Sequence, residues 1–174
     1  MTDDSTEMPS VLRARLADKP LWPFALALYA QEGVEAACLQ LQDAAGADVC
    51  ELLWLGWLDH LGLVPSTDVA KVLAPIRQHQ TRVTYPLRAR RRALKPIAYP
   101  GSPLEKWREH LKRAELVAER ETLARLQALA ERGEGVRPWR QQDGDLYTRL
   151  SRHLGPLDAA AIRSLKTLAE HLAR

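Results

Sequence analysis

The side chains able to do chemistry are present in this chain, but not at the spacings that chemistry asks for. Its five histidines, His60, His79, His110, His153 and His171, form no HExxH, no pair one helical turn apart and no cluster with cysteine. Zinc and haem sites therefore have no support. Cys38 and Cys50 lack CxxC spacing and read as small core hydrophobes. No P-loop, no GxGxxG after a strand and no GxSxG elbow occurs, which removes the usual phosphate cradles and the activated serine. Asp43, Asp48, Glu51 and Asp59 are spread over two predicted helices, without the DDxxD clustering that would hold a metal-bound diphosphate. No catalytic residue, metal ligand or cofactor is assigned on this basis.

Two constellations remain. Glu35, Asp43 and Glu51 lie near the predicted core, and on a helical wheel Arg90 falls close to the apolar seam of its own segment. A structural ion pair accounts for them more economically than a catalytic pair, because a buried charge needs a partner. Tyr29, Trp54, Trp57 and Arg90 together form a candidate pocket, with the two tryptophans read first as core.

The second constellation is electrostatic. Residues 1–65 carry three Lys/Arg and ten Asp/Glu, residues 66–114 twelve and three, and residues 115–174 ten and nine. All the excess positive charge behind the formal +3 is thus in the middle of the chain. On one continuous helical wheel Arg77, Arg88, Arg91 and Lys95 fall beside the apolar stripe, with Arg82 and Arg92 further round. Three roles compete for this ridge: a solvated face pairing with the acidic first third, a dock for an acidic protein, or a grip on nucleic-acid phosphates through guanidinium groups. Reading of DNA bases by a helix-turn-helix over residues 40–61 is rejected, since its second helix offers Leu, Trp and acidic side chains.

The elements that position these groups are helical. Leu, Ala, Arg, Glu and Gln dominate, and neither sustained alternation nor hairpin turns appear. The fold class is all-α: a multi-helix bundle with a central apolar helix and a long two-helix arm. Helices are expected over about 11–17, 21–31, 34–45 and 48–61, the last opened by Asp48 with Glu51 three residues on. That helix is apolar nearly all round and should be central. A long segment over 66–95 should kink near Thr84 to Pro86. Ser102-Pro103-Leu104-Glu105 opens a helix that continues to about Arg132, roughly 45 Å long. Shorter helices follow over 146–154 and 158–173. Residues 1–19 are expected to be loosely ordered, 20–133 to form the core domain, 134–145 to be a linker and 146–174 a C-terminal helical extension. The acidic start and the lack of any long apolar run predict a cytoplasmic protein without a membrane segment.

The run Leu21-Trp22-Pro23-Phe24-Ala25-Leu26-Ala27-Leu28-Tyr29, then Gly33-Val34, Ala37-Cys38-Leu39 and Leu41-Gln42-Asp43, leads through Asp48-Val49 into Leu52 to Leu58. With Val83, Pro86, Leu87, Arg88 and Arg91, this resembles a family of small uncharacterised proteobacterial proteins carrying a domain of unknown function. The likeness covers about Leu21 to Leu126. It implies a bacterial, soluble, helical protein and transfers no catalytic residue or cofactor. The functional expectation is a non-enzymatic interaction module whose basic ridge, Arg77, Arg88, Arg91, Arg92 and Lys95, meets an acidic partner. The alternatives are a sequence-nonspecific nucleic-acid backbone binder, and a ligand-binding protein or enzyme with its pocket near Trp54 and Trp57.

Overall fold

The computed structural model describes residues 10–173, which are predominantly helical, as the composition predicts. Residues 1–9 of the segment expected to be loosely ordered lie outside that range. From Ser10 the chain forms α1 (Ser10–Asp18), whose Leu16 is fully buried against the rest of the molecule. Next come α2 (Leu21–Tyr29), α3 (Val34–Ala45) and α4 (Val49–His60). Glycine ends α3 in a left-handed conformation at Gly46, where a side chain would be strained. Asp48 then caps α4, its carboxylate accepting the Glu51 amide at 3.2 Å.

Every residue of α4 from Cys50 to Leu58 is buried. A helix without a polar face has to be covered on all sides, and α2, α3, the strand that follows and three later helices do so. Gly56 lies against the end of α9 (Ala159–Leu172): a methyl group added there would stand 2.6 Å from Leu172 Cδ1 and 2.9 Å from Cγ, inside van der Waals contact. Alanine at 56 would gain about 1 kcal/mol of helix propensity but incur an overpacking cost of about 1–3 kcal/mol. Gly56→Ala is therefore expected to destabilise the protein. In urea unfolding, combining it with Leu172→Ala should give a smaller loss than the two single losses added together.

After α4, β1 (Leu63–Pro65) pairs antiparallel with β2 (Val136–Pro138), Val64 lying opposite Arg137. Nothing in the sequence announces this ribbon. Strands of three residues are too short to show alternation, and their pairing depends on a contact between distant parts of the chain. Residues 134–145, expected as a linker, carry β2 and a 3-10 turn (Gln141–Asp143). Arg137 fixes that turn through a two-pronged ion pair with Asp143, at 2.9 and 2.6 Å.

The long basic segment divides into α5 (Val69–His79), a π-turn (Gln80–Thr84) and α6 (Tyr85–Leu94). The expected break near Pro86 takes the form of a widened turn: the Tyr85 amide reaches back five residues to the Gln80 carbonyl. Pro86 then sits in the first turn of α6, where its missing N–H costs least. Helix α7 (Pro103–Glu131) is capped by Ser102, whose hydroxyl accepts the Glu105 amide at 3.2 Å. Its buried residues begin only at Glu115. The outer turns of α7, with α6 packed against the helix, form the arm. Helices α8 (Leu146–Leu154) and α9 are capped by Asp145 and Asp158. Helix α9 packs on α3 and α4, and its Leu165 and Leu168 are fully buried.

Candidate functional site

The arginines of the expected ridge are turned towards carboxylates of the same chain. Arg77 grips both oxygens of Glu51 through Nε and Nη2, at 2.7 and 2.9 Å. Arg88 donates to Glu115 and to Glu119, each at 2.8 Å, and Arg91 donates to the other Glu115 oxygen. Arg92 pairs with Asp43 at 2.8 Å. The expected single ridge from Arg77 to Lys95 is thus broken up, because the π-turn holds an extra residue and shifts the phase of α6 against α5. Arg77 consequently faces α4, while Arg88 and Arg91 face α7. Burial raises the Glu115 carboxyl, but the hydrogen bonds from Arg91 and Arg88 outweigh it and hold the group below the ordinary range. For Glu119 burial prevails over Arg88, and its carboxyl is raised.

Lys95 and Arg90 are exposed, and no carboxylate among the described residues pairs with either. Glu35, Asp43 and Glu51 do not converge on Arg90. Glu51 alone of the three is buried, Asp43 lies with Arg92, and Glu35 is exposed. The candidate pocket around the tryptophans is filled, since Trp54 and Trp57 are both fully buried in the core. Trp57 Nε1 donates to the Lys19 carbonyl at 2.7 Å, whereas Trp54 Nε1 has no partner among the described residues. Tyr29 is half-buried beside Cys38. Burial, reinforced by that thiol, pushes its phenol well up, and burial lifts the Cys38 thiol to about 11. Both stay protonated at neutral pH and offer no base.

A polar cleft of about 300 Å³ opens elsewhere, between the end of α3, the start of α4, the π-turn and α8. Asp48 organises it. One of its oxygens caps α4, and the other accepts from the Tyr85 hydroxyl at 2.9 Å and from Gln80 Nε2 at 3.1 Å. Gln80 in turn accepts a hydrogen bond from the Thr122 hydroxyl of α7 at 2.9 Å. Glu51, already held by Arg77, also meets His153 Nε2 at 3.1 Å. Burial alone would raise the Glu51 carboxyl, but the hydrogen bonds and charges of Arg77 and His153 prevail and lower it to about 2. A carboxylate held there has no proton to give at neutral pH. The network ties α4, α5, the π-turn, α6, α7 and α8 together, so its chemistry is that of a clamp. The capping pattern of Asp48 and Glu51 was visible in the sequence. Gln80, Tyr85, Thr122 and His153 were not, because three-dimensional packing and the π-turn bring them in.

The outer end of the arm is different. Ile97, Tyr99 and Trp107 are exposed there, Tyr99 and Trp107 to 69% and 65%. Residues 90–113 carry eight Lys/Arg against two Glu. Among the described residues Arg90, Lys95, Lys106, Lys112 and Arg113 have no ion-pair partner. The positive charge of this stretch is visible in the sequence, but Lys106, Lys112 and Arg113 lie beyond the 66–95 segment in which the ridge is expected.

No helix among the described residues is long and apolar enough to cross a membrane. No curated protein and no solved structure matches the chain. A family model described as "Protein of unknown function (DUF2390)" matches residues 20–126, the span from the start of α2 to within α7 that holds the central helix, the π-turn and the arm. The chain belongs to that family.

Proposed function

We propose that this protein is a non-enzymatic helical interaction module that docks an acidic protein partner on the outer end of its arm. The observation that carries the reading is the exposure of Tyr99 and Trp107 among cations that have no ion-pair partner among the described residues. Tryptophan, tyrosine and arginine are the residues that dominate binding energy at protein interfaces. Unpaired positive charge around them steers an acidic surface into place. The inner ridge serves the architecture instead, since Arg88 and Arg91, clamped by Glu115, hold α6 against α7 and keep the arm stiff.

The paired aromatic and cationic groups also favour a second reading, a nucleic-acid backbone binder, because aromatic faces stack bases beside phosphate-binding cations. One experiment separates the two. A photo-crosslinking residue replaces Trp107 in cells, and the adduct is isolated with and without nuclease. A protein adduct that survives nuclease and falls about tenfold in Lys95→Glu/Lys106→Glu/Arg113→Glu is expected. Those exposed, unpaired positions should leave stability within about 0.5 kcal/mol of the parent. A nuclease-sensitive adduct, together with a gel shift at about 50 mM salt that vanishes near 300 mM, would favour the second reading. An adduct unchanged by the three reversals would remove both.

A further inference from the structure

A second cavity, of about 220 Å³, lies where β1 and α4 meet the 3-10 turn and α8. It is a different surface from the arm and is independent of any partner docked there. Its lining divides sharply by chemistry. Leu55, Val64, Leu146 and Leu150, all buried, form an apolar floor. Arginines form the rim, and their donors are unequally engaged. Arg137 is committed to Asp143. Arg149 gives Nη2 to Asp59 and Nε to the Asp145 carbonyl at 3.3 Å, leaving Nη1 without a partner among the described residues. Arg152, one turn further along α8 beside His153, has no partner among the described residues.

From this arrangement we infer that the cavity is a binding site for a small carboxylic acid with an apolar body. A cation is disfavoured by a rim where three arginines outnumber Asp143 and Asp59. A bare anion such as phosphate would leave the leucine and valine floor against water. A carboxylate joined to a short hydrocarbon uses both parts: its tail covers the floor, and its planar head group meets the free guanidinium edges of Arg152 and Arg149 in the two-pronged geometry arginine favours. The cavity has about the liquid volume of seven waters, so the body is limited to a short chain or a single ring. The apolar floor and the few convergent polar groups are the usual make-up of small-molecule sites.

The test titrates the whole protein with hexanoate, hexanamide and acetate, following backbone amide shifts by NMR. Hexanoate should saturate with a dissociation constant on the order of 1 mM, and the shifts should centre on Val64, Leu146 and Leu150. Hexanamide, which keeps the shape and loses the charge, and acetate, which keeps the charge and loses the tail, should each bind about tenfold more weakly. Arg152→Glu lies on the surface, outside every ion pair among the described residues. It should lower hexanoate affinity about tenfold or more while leaving the melting temperature unchanged. Equal affinity for hexanoate and hexanamide, retention of hexanoate binding in Arg152→Glu, or absence of saturable shifts at about 20 mM hexanoate would each overturn the assignment.

Discussion

Arg77→Ala is expected to lower the free energy of unfolding by about 3 kcal/mol near neutral pH, although Arg77 itself is half-exposed. The reason lies in its partner. The Glu51 side chain is 3% exposed, and both its oxygens accept from the guanidinium. Without Arg77, a buried carboxylate is left with His153 as its one partner among the described residues, and an uncompensated buried charge costs several kcal/mol. Glu51→Gln should cost less, because the released guanidinium can turn to water whereas a stranded carboxylate cannot. Ranking the two variants by urea unfolding checks the argument. A larger loss for Glu51→Gln would show that the pair is held by Arg77's own packing.

The same pair fixes a pH dependence. The Glu51 carboxyl is lowered in the folded protein to about 2 from an ordinary value near 4.5. A depressed carboxyl contributes stability in full above its unfolded value, and that contribution is lost as pH falls through about 4.5 towards 2. The shift corresponds to roughly 3 kcal/mol. In Arg77→Ala the carboxyl should titrate at higher pH, so the penalty of that substitution should shrink between about pH 7 and about pH 3.5. A penalty constant over that interval would mean that Glu51 stays charged without Arg77.

Trp57→Ala should be at least as damaging, with an expected loss of about 4 kcal/mol. Its indole is fully buried at the centre of the molecule, and its N–H holds the Lys19 carbonyl at 2.7 Å. Alanine leaves a large void in a close-packed interior and also strands that carbonyl, adding about 1 kcal/mol. Because Lys19 lies between α1 and α2, the first helix should loosen before the rest unfolds. Limited proteolysis after Lys19 would detect this as early cleavage, which Trp57→Phe should show less, since it refills most of the void. Equal cleavage rates in Trp57→Ala and the parent protein would mean that α1 is anchored through Leu16 alone.

Much of the fold could be read from the chain because its helix ends are marked locally. Asp48 with Glu51, Ser102 with Pro103 and Glu105, and Gly46 after Ala45 each set a boundary through chemistry within one turn. The central place of α4 was equally legible, since a helix without a polar face has only one place to go. What was not legible depended on register or on distant partners. Pro86 announced a disturbance, but nothing local said that it would be a π-turn. An error of one residue in helix phase was enough to turn Arg88 and Arg91 inward. The pairing of Leu63–Pro65 with Val136–Pro138 had no signal in either segment. The clamp around Asp48 and Glu51 was half visible, through its capping residues, and its remaining members arrive from α5, the π-turn, α6, α7 and α8.

The docking of α9 carries a consequence for the span that the family model matches. Residues 20–126 contain α3 and α4, yet the leucines that seal Cys38, Gly56 and their neighbours from water include Leu165, Leu168 and Leu172, well past that span. The matched stretch is therefore shorter than the stretch needed to keep its own interior dry. In this chain the tail supplies the missing cover, so a piece cut to residues 20–126 would leave that side of the central helix bare.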